Sequence, residues 1–286
     1  MTWHDALHRL QNAGAPHALA TVVGASGSTP REPGAKMVIT ADEVHDTLGG
    51  GTFEFQVIDA ALQALLAHDA TTRLEAFPLG GRSGQCCGGY VNVLIEVFAG
   101  AEMTVAVFGA GHVGQALVKL MAPLPWRVLW HDSRPDAFAS GADTQARLEC
   151  RDSSDSGASV AALPSGTHAL IMTHDHAEDR VLMDALLKRG DCASIGLIGS
   201  HSKWASFKRR LREAGHTQAS LAQVRCPIGV AGAKGKLPYE IALAVTTELL
   251  TLKPSAERLD QRGIEPQVLR KVFDADRTPN SRLGER

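Results

Sequence analysis

Apolar residues in the second half of the chain form short runs that alternate with amphipathic segments. The runs typical of strands are Met103–Phe108, Trp126–His131, Ala146–Cys150, His168–Thr173, Ala193–Ile198 and Leu221–Arg225. Segments with apolar residues at helical spacing separate them, and these lie after Phe108 and at Glu178–Arg189, Ser202–Ala214 and Pro238–Leu252. Because helices that join successive strands produce a parallel sheet, we predict a doubly wound α/β domain over residues 103–252.

The first half of the chain has a different pattern, with fewer helices between its strands. The predicted strands are Ala18–Val23, Ala35–Ile39, Val44–Leu48, Arg73–Phe77 and Tyr90–Val97, and the predicted helix is Phe53–His68. This pattern predicts a smaller α+β domain over residues 1–100. Residues 253–286 mix charges with Pro and Gly without sustained periodicity, so we expect a polar C-terminal tail there.

Composition and charge exclude several classes of protein. The chain has 286 residues, 44% of them hydrophobic, and 29 Lys and Arg against 31 Asp and Glu give a net charge of −2. Nucleic-acid binding needs an excess of cations, which is missing here. No apolar stretch approaches the roughly 18 residues of a transmembrane helix, and the odd number of cysteines disfavours a disulfide framework. We expect a soluble, cytoplasmic protein with no nucleic-acid or membrane partner.

A glycine-rich turn follows the first strand of the second domain. Residues Gly109–Gly114 read G-x-G-x-x-G and open a helix, and Asp132 stands at the end of the next strand. In a Rossmann-like domain such a turn brings backbone N–H groups to a pyrophosphate, and the acidic residue accepts hydrogen bonds from a ribose. Arg134 would instead favour a 2′-phosphate, so NAD, NADP, another nucleotide and a turn kept only for packing all stay open. The candidate contacts are Gly109, Gly111, His112, Gly114 and Asp132.

Two loops of the first domain also offer groups that bind anions. The segment Gly24–Lys36 concentrates glycines, hydroxyls and two cations between two strands, and Leu48–Glu54 is a second glycine turn before a helix. Exposed N–H groups and paired cations suit a phosphate or a polar heterocycle, whereas the alternative for the first loop is an ordinary surface hairpin. Glu54 is expected to complement the helix dipole. The candidate contacts are Ser28, Thr29, Arg31, Lys36, Gly50 and Gly51.

Two adjacent cysteines, Cys86 and Cys87, lie between glycines and follow Gln85. Thiolates bind soft metals and take part in sulfur chemistry, and flanking glycines favour exposure of the pair. The alternative is a buried pair that behaves as small hydrophobic residues. The spacing is not that of a C-x-x-C zinc or redox motif.

Polar side chains follow the strand His168–Thr173, at the edge where parallel sheets collect ligands. His174 and His176 stand there in an H-x-H pattern, and we expect them to contact a ligand rather than to form a complete metal site. Two other cysteines, Cys150 and Cys192, occupy apolar strand positions and are predicted to be core residues.

Seven segments carry the motifs of the chain in order, namely GSTPREPGAKM, LGGGTFEF, GQCCGGYV, VFGAGHVGQALVKLMAPLPWRVLWHDSR, IMTHDHAEDRVLMDALLKR, GLIGSHSKWASFKRRL and CPIGVAGAKGKLPYEIAL. Together they resemble the XdhC/CoxI family of xanthine dehydrogenase accessory proteins. The resemblance runs from about Ala18 to Leu250. One departure is Phe53, where we expect a small or aliphatic residue in this family.

The resemblance implies a chaperone of the molybdenum cofactor, a molybdopterin. Such proteins bind the cofactor, protect it while a cysteine desulfurase replaces an oxo ligand with sulfido, and deliver it to apo xanthine dehydrogenase. By position, Cys86 and Cys87 become candidates to contact molybdenum, and Arg31 and Lys36 become candidates to bind the pterin phosphate.

Our leading hypothesis is therefore a non-catalytic cofactor-maturation protein of purine catabolism. The rival is an NAD(P)-dependent oxidoreductase that uses the glycine turn, Asp132 and a proton donor such as His174. A third alternative is an adaptor that binds the dehydrogenase and the desulfurase without retaining the cofactor. The sequence leaves the oligomeric state open, with a homodimer among the alternatives.

Overall fold

The computed structural model of this protein describes residues 1–67, 72–79, 89–138, 147–252, 264, 266–267 and 270. The chain divides into two compact units. The first includes Met1–Leu10 and Ala15–Gly100, and the second includes Gln11–Gly14 and the chain from Ala101 to Leu252. The candidate contacts Gln85, Cys86 and Cys87 and most of the predicted tail lie outside the described residues.

The first unit is built on a five-stranded antiparallel sheet with the order β3-β2-β1-β5-β4. In chain order its elements are α1 (Trp3–Ala13), β1 (His17–Ser26), β2 (Lys36–Ile39), β3 (Val44–His45), α2 (Gly51–Leu66), β4 (Thr72–Pro78) and β5 (Tyr90–Phe98). The helix α2 buries Phe53, Val57 and Ala61 against alternate residues of the strands, among them Val93 and Ile95. On the other face, Leu10 of α1 packs with Leu19 and Val38. Period-two alternation thus gives both faces of the sheet an apolar surface that a helix covers.

The second unit is built on a six-stranded parallel sheet with the order β11-β10-β9-β6-β7-β8. Its strands are β6 (Met103–Phe108), β7 (Trp126–Asp132), β8 (Leu148–Asp152), β9 (His168–Ile171), β10 (Ser194–Leu197) and β11 (Val224–Arg225). Its helices are α3 (His112–Met121), α4 (Ser156–Ala161), α5 (His176–Arg189), α6 (His201–Glu213), α7 (Gln218–Ala222) and α8 (Pro238–Leu252). This is the strand order of the doubly wound dinucleotide-binding fold, and the predicted α/β class is confirmed.

Helices cover both faces of the parallel sheet. Side chains of α3 and α8 form one core with β6 and β7, whereas side chains of α4, α5 and α6 form another with β9 and β10. The central strands are buried on both faces, which explains their continuous apolar runs. Within the described residues, no helix is long and apolar enough to cross a membrane.

Three local predictions were wrong. Leu221 belongs to the helix α7, because the side chain of Thr217 accepts a hydrogen bond from the N–H of Ser220 and caps that helix. The predicted strand from Val44 to Leu48 ends at His45, because the chain turns at Asp46, where φ is 68°. Cys150 is exposed rather than buried, since β8 is an edge strand of its sheet, and Cys192 precedes β10 and is only partly buried.

Candidate functional site

The glycine turn of the second unit lies where the strand order of the parallel sheet reverses, between β6 and β9. Gly109 has φ of 126°, and a Cβ atom there would lie 2.3 Å from the carbonyl oxygen of Met172, which follows β9. A Cβ on Gly114 would lie 2.0 Å from the carbonyl oxygen of Gly109. These two glycines are therefore required by the close packing of the turn against the sheet and α3.

Gly111 differs from its two neighbours in the motif. A Cβ atom at this position would meet no other atom within 4 Å, and φ is −72°. Gly111 caps α3 without a side-chain hydrogen bond, and the next residue, His112, is exposed. The first N–H groups of a helix have no partner within the helix. The space beside Gly111 thus gives an anionic ligand access to the N-terminus of α3.

Asp132 is buried at the end of β7 and makes its hydrogen bonds to the protein. Its carboxylate accepts bonds from the N–H of Ala110 at 2.6 Å and from the N–H of Arg134 at 2.9 Å. The guanidinium of Arg134 donates two more, at 2.8 and 2.9 Å. Burial raises the pKa of this carboxyl, but the hydrogen bonds from Arg134 and Ala110 outweigh burial and lower the pKa to about 2. Asp132 therefore fixes the turn and holds Arg134 beside it.

A pocket of about 260 Å³ lies next to this turn, at the carboxyl ends of β7 and β8. Its lining includes Arg134, Phe138, Asp152 and Ser154. Its volume is slightly below the range of about 300–1,000 Å³ that is typical of small-molecule sites. A planar or ribose-sized group is the kind of ligand portion that fits such a space.

The loops after β9 and β10 are joined by a buried carboxylate, Asp179. It accepts hydrogen bonds from the N–H and the Oγ1 of Thr173 at 3.1 and 2.8 Å. It also pairs with the ammonium of Lys203 at 2.8 Å, and that ammonium donates to the carbonyl oxygen of Ile198 as well. Sequence reasoning missed Asp179, although an acid that shares a helix face with Leu182, Met183 and Leu186 is a signal for a buried carboxylate.

The two candidate histidines lie at the edge of this network. The Nδ1 of His176 is 3.5 Å from Asp179, and the Nδ1 of His174 is 3.9 Å from Glu178. Both imidazoles are exposed, as expected for residues that could reach a ligand. In the part of the chain that the structure describes, no group of three or more histidine, cysteine or carboxylate side chains could hold a metal ion.

The glycine turn of the first unit is organised by Glu54. The glycines from 49 to 51 have φ of 119°, 77° and 71°. One oxygen of the Glu54 carboxylate accepts hydrogen bonds from the N–H of Leu48 at 2.8 Å, from the N–H of Gly50 at 3.1 Å, and from the hydroxyl of Thr47. Glu54 thus does more than complement the dipole of α2, because it fixes the shape of the turn.

Three segments that are distant in sequence converge in the first unit around residues 26–30. A Cβ atom on Gly49 would lie 2.2 Å from the Cβ of Pro30, and one on Gly89 would lie 2.2 Å from the carbonyl oxygen of Ser26. Backbone packing this close excludes any side chain at Gly49 and Gly89. In sequence, Gly89 ends the segment that contains the two adjacent cysteines.

The two cations of the first loop have different surroundings. Lys36 lies on the face of the sheet that α1 covers, and its ammonium donates to the Oγ1 of Thr21 at 2.9 Å and stands 5.6 Å from the ring of Trp3. Arg31 is exposed in the loop, where Thr29 donates to its carbonyl oxygen at 3.3 Å. Arg31 is accordingly the cation that a ligand at this loop can reach.

Comparison with known proteins gives a family for both units. The family model described as the XdhC Rossmann domain matches residues 105–249, and the model of the XdhC and CoxI family matches residues 10–77. The protein YqeB of Escherichia coli (strain K12) is 31% identical over 259 residues, which cover 87% of this chain and 46% of YqeB. The chain thus spans about half the length of this curated relative.

Some solved structures are similar to this chain at low sequence identity. A xanthine dehydrogenase from Bacillus halodurans is 18% identical, with 91% of this chain and 98% of that chain covered and a TM-score of 0.46. The anaerobillin reductase ChuY of Escherichia coli O157:H7 is 17% identical, with 57% of this chain and 98% of that chain covered and a TM-score of 0.34. The two family matches together extend over most of the chain and agree with the parallel strand order of the second unit. The chain therefore belongs to the XdhC/CoxI family.

Proposed function

We propose that this protein binds the molybdenum cofactor as cargo, protects it during sulfuration and delivers it to apo xanthine dehydrogenase. Family membership supports this role. One structural observation supports the choice of the residues that we propose to bind the cofactor. That observation is the convergence of the loop 26–30, the turn 49–51 and Gly89 in the first unit. A dinucleotide enzyme would need only the glycine turn of the second unit.

The groups around this convergence fit an anionic pterin phosphate. Ser28 offers a hydroxyl donor, and the Thr29 hydroxyl, which donates to the carbonyl oxygen of Arg31 at 3.3 Å, would have to turn to reach a ligand. Arg31 offers an exposed guanidinium, and Gly51 begins a helix whose first N–H groups have no partner within the helix. Gly50 gives its N–H to Glu54, so we propose that it contributes the shape of the turn rather than a donor. Lys36 is engaged with Thr21 and is not needed in this set.

The thiols of Cys86 and Cys87 are proposed to contact the molybdenum end of the cargo, with Gln85 as a polar neighbour. Molybdenum bound to a dithiolene is a soft centre that suits thiolate contact. We further propose that a cysteine desulfurase supplies the sulfur while the cofactor is held. Apo xanthine dehydrogenase and the desulfurase are thus the proposed protein partners, and a homodimer is a proposed assembly.

A second candidate function, an NAD(P)-dependent oxidoreductase, is favoured by the open space beside Gly111 and by the 260 Å³ pocket that Asp132 and Arg134 line. In that case the N-terminus of α3 would bind a pyrophosphate and His174 would donate a proton. A 2′-phosphate of NADP would compete with Asp132 for the guanidinium of Arg134. A ribose hydroxyl of NAD would have to bond to the Asp132 carboxylate, which already accepts hydrogen bonds from Arg134.

Cofactor transfer from the full-length protein tests the leading proposal. The protein is loaded with molybdenum cofactor, and the activity of added apo xanthine dehydrogenase is followed over time. We expect Arg31→Ala, Cys86→Ala and Cys87→Ala to reduce retained cofactor or the yield of active dehydrogenase by about tenfold. Cys150→Ala is the matched control, because Cys150 is an exposed cysteine of the other unit.

Two results would contradict the proposal. One is wild-type transfer of sulfurated cofactor by all three first-unit variants. The other is stoichiometric turnover of NADH or NADPH by a protein that binds no molybdopterin, which would establish the oxidoreductase instead.

A further inference from the structure

A groove of about 330 Å³ lies between α5 and α6 on the outer side of the parallel sheet. Its floor is apolar and consists of Val181, Leu211 and Ala214. Val181 is 52% exposed, although it belongs to a helix whose other aliphatic side chains are mostly buried. An exposed β-branched residue in a groove gives a partner's apolar side chain a surface on which to pack.

Cations flank this floor, and two of them have no anionic partner in the described part of the chain. Arg180 and Arg210 line the groove, and within the described residues no carboxylate lies within ion-pairing distance of either guanidinium. Asp184, the one carboxylate of the groove, is occupied by the ammonium of Lys188 and by the Nε2 of His216, at 2.8 and 2.7 Å. The groove therefore has two guanidinium groups available for an external anion.

The charge of this region contrasts with that of the whole chain. The helix α6 carries five Lys and Arg residues and one carboxylate, Glu213, in a chain whose net charge is −2. Lys203 turns inward to Asp179, but Arg209, Arg210 and Arg212 are exposed. A cationic surface on a nearly neutral chain attracts partners of opposite charge.

We propose that the α5–α6 groove binds an acidic segment of a partner protein. An apolar side chain of that segment packs on Val181 and Leu211, and carboxylates on either side pair with Arg180 and Arg210. A protein segment fits better than a nucleic acid or a membrane, because Val181 and Leu211 offer an apolar surface to an amino-acid side chain and offer nothing to a row of phosphates. The groove shares no residue with the proposed cofactor contacts, so this inference does not depend on the proposed function.

Binding of two synthetic peptides to the full-length protein tests the groove. The first peptide has about twelve residues, with a central pair of leucines between glutamates, and the second carries glutamine in place of each glutamate. Fluorescence anisotropy gives the Kd at low and high salt, and amide NMR locates the bound peptide. The variants are Arg180→Glu and Arg210→Glu, and Arg209→Glu is the matched control, with the same charge change on α6 outside the groove.

We expect the acidic peptide to bind with a salt-dependent Kd and to shift the amide resonances of Val181 and Ala214. Each groove variant should weaken binding by about tenfold, whereas Arg209→Glu should change it less than about twofold. The glutamine peptide should bind at least about tenfold more weakly than the acidic one.

The inference is overturned if the acidic peptide does not bind, or if the groove variants bind it as the wild type does. Loss of binding to single-stranded RNA or to phosphatidylserine vesicles in the groove variants, with peptide binding intact, would also overturn it. Failure of cofactor transfer leaves this result unaffected, because peptide binding is measured without cofactor.

Discussion

His131 is a buried imidazole whose two ring nitrogens have no hydrogen-bond partner among the described residues. Its ring stacks on Phe108 with the centroids 4.6 Å apart. Burial, with a smaller contribution from Arg151, lowers the pKa of His131 from 6.5 to about 4. In the unfolded chain the group binds a proton near pH 6.5, but in the folded protein it stays neutral down to about pH 4. Above pH 6.5 the imidazole is neutral in both states, so its burial carries no protonation penalty. As the pH falls from 6.5 toward 4, the unfolded chain binds a proton that the folded protein does not, and the free energy of unfolding decreases.

We predict that His131→Phe makes the stability of the protein less sensitive to acid. The neutral imidazole should account for a loss of about 2 kcal/mol in the free energy of unfolding between pH 7 and pH 5, and phenylalanine keeps the stacking without a titratable group. Denaturant unfolding at the two pH values measures this difference. An unaltered pH dependence in His131→Phe would contradict the argument.

At the scale of the element, the three glycines of one turn have three different roles. Gly109 needs a positive φ and a close approach to Met172, and Gly114 needs space against Gly109. Gly111 needs neither, since its φ is negative and its surroundings are open. The sequence motif alone treats the three as equivalent, and only the packing of β6, β9 and α3 separates the two glycines in close contact from the one with open space beside it.

We predict that Gly109→Ala and Gly114→Ala each lower the free energy of unfolding by more than about 2 kcal/mol, because a Cβ atom would overlap backbone oxygen. Gly111→Ala should change it by less than about 0.5 kcal/mol. Equilibrium unfolding in urea measures all three variants. Equal stability of the three would show that the turn is not packed as described.

At the scale of the whole molecule, the candidate contacts fall into two sets, one in each unit. Arg31 and the turn 49–51 belong to the first unit, and Gly111 and Asp132 belong to the second. We propose that the first set binds a phosphate of the cargo. In the second set, the open space beside Gly111 is the proposed nucleotide contact, whereas Asp132 is engaged with Ala110 and Arg134. Each unit has its own sheet and its own apolar core.

We predict that the two sets can be disabled separately in the full-length protein. Arg31→Ala should reduce cofactor retention by about tenfold and leave the Kd of a bound nucleotide unchanged. Gly111→Val should do the reverse, because its side chain would occupy the open space at the N-terminus of α3 without disturbing the turn. Isothermal titration with NADPH and assay of retained molybdopterin measure the two effects. Loss of both ligands in either variant would contradict the separation.

The sequence by itself determined the class of each sheet and the position of most elements. Parallel strands such as β6 are buried on both faces, so their sequences are continuous apolar runs. Along the antiparallel strand β5, buried residues alternate with more exposed ones. The G-x-G-x-x-G motif could also be placed in advance, because it stands between a strand and a helix. Boundaries were less determined, since the end of β3 depends on one turn at Asp46 and the start of α7 depends on one capping hydroxyl.

Tertiary structure decided which of the candidate groups a ligand can reach. Asp132 and Lys36 are polar residues at positions where the sequence predicts ligand contacts. In the folded protein, the carboxylate of Asp132 accepts hydrogen bonds from Arg134 and Ala110, and the ammonium of Lys36 contacts Thr21 and Trp3. Glu54 fixes the shape of the turn because residues 47–50 fold back over the start of α2 and bring the N–H groups of Leu48 and Gly50 to its carboxylate. Local periodicity records which face of an element is apolar, but hydrogen bonds between distant segments depend on the closed fold, and no short-range pattern encodes them.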